Sequence, residues 1–187
     1  MPPVQTPHEA QTHATFDALM RALSYPGRPQ TLKLEEGRTA FAAIAKALLD
    51  LEITAFSTEQ LLENELRATG AKLVSLERAE YVFTPHLTEA QLPLLQRVNR
   101  GSTLTPDDAA TLVIGASFAE EPLESAQPLR LRGSGIQDSL EVQIGGLPRN
   151  FWRVRAAIIA FPIGWDVFLV SGNQILGLPR TTVVEVL

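Results

Sequence analysis

The stretch Phe161-Pro162-Ile163-Gly164-Trp165-Asp166-Val167-Phe168-Leu169-Val170-Ser171-Gly172 decides the reading of the fold. Its second half is rich in β-branched and aromatic residues, opens after proline and glycine, and stops at glycine. Asp166–Ser171 is therefore expected to be a strand. Gly177-Leu178-Pro179-Arg180-Thr181-Thr182 follows and leads into a second expected strand over 181–186. One carboxylate, Asp166, and one guanidinium, Arg180, thus stand at the edges of apolar segments. Charges there are costly to bury unless they are paired or bound to something.

Working outward, helix and strand patterns alternate. Residues 1–11 hold three prolines and no period, and are expected to be a mobile lead-in. Phe16, Leu19, Met20 and Leu23 then fall at helical spacing, and Tyr25-Pro26-Gly27 stops the helix. A strand is expected over 31–35, a helix over 40–50 through Phe41, Ile44, Ala45 and Leu48, and a strand over 53–57. Ser57 and Gln60 form a capping-box signature for a helix ending at Gly70, and strands are expected over 72–76 and 79–84.

Thr88 and Gln91 repeat that signature, with Leu87 and Leu92 as a hydrophobic staple. Pro93 removes a ladder donor, so a short or distorted helix is expected over 88–99. Further strands are expected over 109–114, 129–132 and 140–144, the last two flanking a glycine loop, and a helix over 148–160 carries Phe151, Val154 and Ile158 on one face. The class is mixed α/β, with residues 12–187 forming one domain.

Composition narrows the function. Hydrophobic residues make up 45% and charged residues 20% of 187 residues, which is globular rather than disordered. A net charge of −5 argues against a nucleic-acid partner held through phosphates. There is no cysteine, which excludes thiolate chemistry and disulfides and fits a cytoplasmic protein. The first residues lack a signal-peptide pattern, and the apolar run 156–165 is broken by Pro162 and Gly164. No membrane partner is expected.

Several motifs fail on inspection. Gly133-Ser134-Gly135 begins like a dinucleotide fingerprint, but an aspartate, Asp138, replaces the third glycine and a strand pattern follows where a helix is needed. The loop remains either a tight turn or a backbone anion cradle. Gly115-Ala116-Ser117-Phe118-Ala119 is half a nucleophile elbow, and Ala119 to Pro122 is a poor start to the helix an elbow must feed. His8 and His13 lie off the spacing that puts two imidazoles on one helix face, so no metal is expected. Lys33, Lys46 and Lys72 all stand outside Gly- or Ser-rich loops, so no pyridoxal phosphate site and no other cofactor is expected.

Two readings of the remaining constellation stay open. Asp166 and Arg180 form a structural pair, or they are site residues. In the second case Arg132, the Gly133-Ser134-Gly135 backbone, Arg180 and Thr181 would receive a phosphate or phosphonate, and Asp166 would orient a sugar hydroxyl. No catalytic residue is assigned.

Taken together, the segments resemble the PhnH family of the bacterial carbon–phosphorus lyase system. They are Phe16 to Gly27, residues 42–51 with Leu48-Leu49-Asp50, residues 109–113, Leu131 to Ile136, Phe161 to Asp166 and Leu178 to Thr182, in the family's order. Ser134 stands where the family carries proline, Trp165 is bulkier than the residue expected before the aspartate, and 77–108 is compact. The resemblance implies a single, three-layer-like domain with a mixed central sheet, similar to pyridoxal-phosphate-dependent transferases but without the cofactor. It also implies an accessory subunit partnered by PhnG, PhnI and PhnJ, a homodimer when isolated. With PhnG, PhnI and PhnL the family supports formation of alpha-D-ribose 1-methylphosphonate 5-triphosphate from a nucleoside triphosphate and alkylphosphonate.

Overall fold

The computed structural model describes residues 6–118 and 126–187. The first five residues of the expected lead-in, and the Ala119 to Pro122 segment of the half elbow, lie outside the described residues. In chain order the elements are α1 (Pro7–Ser24), β1 (Gln30–Thr31), α2 (Ala40–Leu48), β2 (Thr54–Ser57), α3 (Gln60–Ala68), β3 (Lys72–Leu73) and β4 (Tyr81–Thr84). A 3-10 helix, Glu89–Arg97, precedes β5 (Thr111–Gly115), β6 (Ser117–Phe118), β7 (Gln127–Arg132) and β8 (Leu140–Gly145). The chain closes with α4 (Phe151–Ile158), β9 (Asp166–Ser171), β10 (Gln174–Leu178) and β11 (Val183–Val186).

Among the described residues these strands make a seven-stranded mixed sheet, in the order β1-β10-β9-β5-β4-β2-β3, and a four-stranded antiparallel sheet, β11-β7-β8-β6. In the large sheet β9, β5, β4, β2 and β3 run parallel, while β10 folds back on β9 as a hairpin and pairs with β1. Strand alternation sends side chains to two cores. Leu112, Ile114, Val167 and Leu169 face one, with Trp152, Phe151 and the small sheet's Leu129 and Leu131. Val113, Phe168, Val170 and Phe83 face the other, against Leu19 and Ala22 of α1, Ile44 of α2 and Leu66 of α3. The central strands are covered on both faces, which is why they read as continuous apolar runs.

Helix α1 differs from the expectation at both its start and its face. It begins at Pro7, inside the segment expected as lead-in, because Thr6 and Glu9 complete a capping box and Pro7 occupies the first turn. Its core side is Thr15, Ala18, Leu19 and Ala22, so Phe16 and Met20 remain 43% and 47% exposed. The Ser57–Gln60 capping box does not form; the Ser57 hydroxyl instead bonds Glu59, and Glu59 precedes the helix without a side-chain cap. The Thr88–Gln91 box does form, and with Pro93 inside, the segment winds as 3-10 rather than α. Strand β10 and the two-residue β6 have no counterpart in the sequence reading, because Gln174-Ile175-Leu176-Gly177 is short and its glycine lowers strand propensity.

Candidate functional site

The β9–β10 hairpin brings the two singled-out charges together. Its register sets Val167 opposite Leu178, so the residue before β9's apolar run and the residues after β10 meet at the same edge. Asp166 Oδ1 accepts from the Arg180 backbone N–H at 2.7 Å and from its Nε at 3.3 Å, and Oδ2 accepts from Nη2 at 2.9 Å. The remaining arm, Nη1, donates to the Pro106 carbonyl at 2.6 Å. Both carboxylate oxygens and all three nitrogens of the fork are thus engaged within the chain, in the bidentate geometry that suits arginine.

This pair lies at the amino edge of the parallel block, where Asp166 is in register with Thr111 at the start of β5, and Thr111 with Tyr81 at the start of β4. Ligand crevices of open α/β sheets form at the opposite, carboxyl edge. Asp166, the first residue of β9, lies at the edge away from such crevices. At the carboxyl edge lies a groove of about 960 Å³, lined in part by Arg38, Glu59, Glu65, His86 and Gly115. Gly115 and Ala116 of the half elbow line it, whereas Arg132, Gly133, Ser134, Gly135, Asp166, Arg180 and Thr181 do not. Within it His86 Nε2 stands 3.8 Å from a Glu59 carboxylate oxygen, and Arg38 pairs with Glu65 at 3.0 Å.

A third charge at the amino edge escaped the sequence reading. Arg155 of α4 is buried, and its Nη1 and Nη2 donate to the carbonyls of Thr182 and Pro179 at 3.0 and 3.1 Å. Burial lowers its pKa to about 10, and the negative charge of Asp166 acts in the opposite sense. The signal was available: Phe151, Arg155 and Ile158 fall at i, i+4 and i+7, which places an arginine on the helix's apolar face. Arg155 and Asp166 between them hold both sides of the 179–182 segment.

The glycine loop joins β7 to β8 and turns through an Ile136 N–H to Gly133 carbonyl bond of 3.1 Å. Gly135 has φ of 80°, and a Cβ there would strike the Ser24 carbonyl oxygen and come within 2.8 Å of Pro26. The loop therefore docks against the Tyr25-Pro26-Gly27 turn. Gly133 lies equally close to the backbone of Thr181. Gly133, Ser134, Arg180 and Thr181 line a groove of about 500 Å³ with Trp152, Arg155 and Thr182, while Asp166 and Gly135 are not part of its lining. Arg132 ends β7 with its side chain exposed.

Residues 4–185 match the family described as bacterial phosphonate metabolism protein (PhnH). The chain belongs to the PhnH family. A putative C-P lyase subunit protein, HtxG of Stutzerimonas stutzeri, is 36% identical over 171 residues, which covers 89% of this chain and 82% of that protein. The alpha-D-ribose 1-methylphosphonate 5-triphosphate synthase subunit PhnH of Rhizobium meliloti (strain 1021) is 37% identical over 99 residues, 51% of this chain and 46% of the relative. The PhnH match spans both cores and both sheets, so it concerns the whole fold rather than one motif.

Proposed function

We propose that this chain is a subunit of a carbon–phosphorus lyase assembly that works through its surface. The observation that carries the reading is the outward row of α1. Among the described residues, Phe16 and Met20, one turn apart and exposed, belong to neither core. Apolar side chains aligned on an exposed helix face are what a partner surface uses. Family membership supplies the assembly, and the closure of Asp166 on Arg180 turns both carboxylate oxygens and all three guanidinium nitrogens to contacts within the chain. The partners in this reading are PhnG-, PhnI- and PhnJ-like subunits, with a homodimer when the chain is isolated and the cytoplasm as its compartment. Among the described residues no helix is long and apolar enough to cross a membrane.

The step served is formation of alpha-D-ribose 1-methylphosphonate 5-triphosphate, the activity named for the Rhizobium relative. The mixed sheet between two cores supports a layered fold akin to the pyridoxal-phosphate-dependent transferases. The test is co-expression of the tagged chain with the PhnG, PhnI and PhnJ homologues of its own genome, followed by affinity capture. Recovery of a stoichiometric assembly is expected. Soluble partners that fail to associate would remove the reading.

A further inference from the structure

Three buried polar atoms without a hydrogen-bond partner among the described residues belong to residues lining one groove: Trp152 Nε1, Arg155 Nε and Thr182 Oγ1. Their residues are only 3%, 3% and 1% exposed. Trp152 and Arg155 stand three apart on α4, and Thr182 is drawn to them by its carbonyl bond to Arg155. Buried polar groups in folded chains are almost always satisfied, so three orphans in one lining call for an acceptor. Indole and guanidinium nitrogens can only donate, and the threonine hydroxyl can do so.

The charge balance has the same sign. Arg155 and Arg180 contribute two guanidinium groups, against the single carboxylate of Asp166, which Arg180 already occupies. Apart from Ser134 and Thr181, the remainder of the lining is apolar, with Ile159, Phe161 and Val183 along it. A mostly apolar pocket of this size with a few convergent polar groups is the usual form of a small-ligand site.

We propose that this groove binds a small oxyanion carrying an apolar substituent. Its oxygens accept from Trp152 Nε1, Arg155 Nε and Thr182 Oγ1, and its apolar part rests on Ile159, Phe161 and Val183. The three donors are out of solvent contact, so the ligand displaces lining side chains to reach them. The site goes beyond the subunit role and is a property of the isolated chain, so either idea can fail without the other.

Indole N–H resonances of the ¹⁵N-labelled full chain provide the readout, with Trp152 and Trp165 assigned by Trp152→Phe. Methylphosphonate and propionate are the probes, and inorganic phosphate, which lacks the apolar part, is the comparison. A saturable shift of the Trp152 signal alone is expected with both probes, with weaker binding of phosphate. Thr182→Val removes a hydroxyl that bonds nothing among the described residues, so the free protein should melt no lower than wild type. Its affinity for the probes should fall by about tenfold or more, the usual consequence of deleting a hydrogen bond to a charged group. No shift at probe concentrations of about 10 mM, ample for millimolar affinity, would overturn the proposal. So would a shift that Thr182→Val leaves unchanged.

Discussion

Removing the Asp166 carboxylate leaves the Arg180 fork, only 14% exposed, with the Pro106 carbonyl as its remaining partner. Asp166→Ala is therefore expected to destabilise the fold by about 2–3 kcal/mol, less than for a fully buried pair because Asp166 retains some solvent contact. Urea midpoints would measure it, and the double variant with Arg180→Ala should cost less than the sum of the single ones. Tyr81 gives a pH signature at the same edge. Burial, then the negative charges of Glu80 and Asp166, raises its phenol above 10.0. The folded state thus holds the proton where the unfolded state has lost it. The associated stability is present below about pH 10 and is lost as pH rises through the folded value. Tyr81→Phe should flatten this part of the alkaline decline in unfolding free energy, and an unchanged slope would contradict the assignment.

At the level of elements, the hairpin β9–β10 does more than pair two strands. It presents Gly177 to the backbone of α1, where an added Cβ would lie 2.5 Å from both the carbonyl carbon and oxygen of Ala22. Backbone cannot yield as a side-chain tip can, so Gly177→Ala must push α1 off the sheet. A cost of about 2–3 kcal/mol is expected, seen as a fall in Tm of roughly 5–10 °C for a chain of this length. An unaltered Tm would show that α1 can shift freely. The turn ending α1 and the glycine loop between β7 and β8 form a second element contact of this kind, with Gly27 close to Leu131 and Gly135 close to Ser24. Two motifs separated by more than a hundred residues are thus two sides of one joint between the large sheet's helix and the small sheet.

For the whole molecule, the question is which surfaces the fold leaves unused. The double variant Phe16→Glu with Met20→Glu should keep its Tm, since neither side chain supports a core, and should lose association with the lyase partners in affinity capture. Retained capture would move the interface elsewhere. The sequence alone determined the strand Asp166–Ser171, the distorted Thr88–Gln91 helix and the glycine turn, because local signals (β-branched runs, capping residues, proline, glycine) act within a few residues. It also marked Asp166 and Arg180 as charges needing partners. It pointed to a different face of α1 from the one that meets the core, since Phe16, Leu19, Met20 and Leu23 are more apolar than the true stripe of Thr15, Ala18, Leu19 and Ala22. Only the close approach of β10 selects the small residues. Nor could it join Arg155 to Pro179 and Thr182, or place Asp166 at the amino edge of the sheet. Those depend on strand direction and on a hairpin register, which are contacts between distant segments and exist only once the chain has folded.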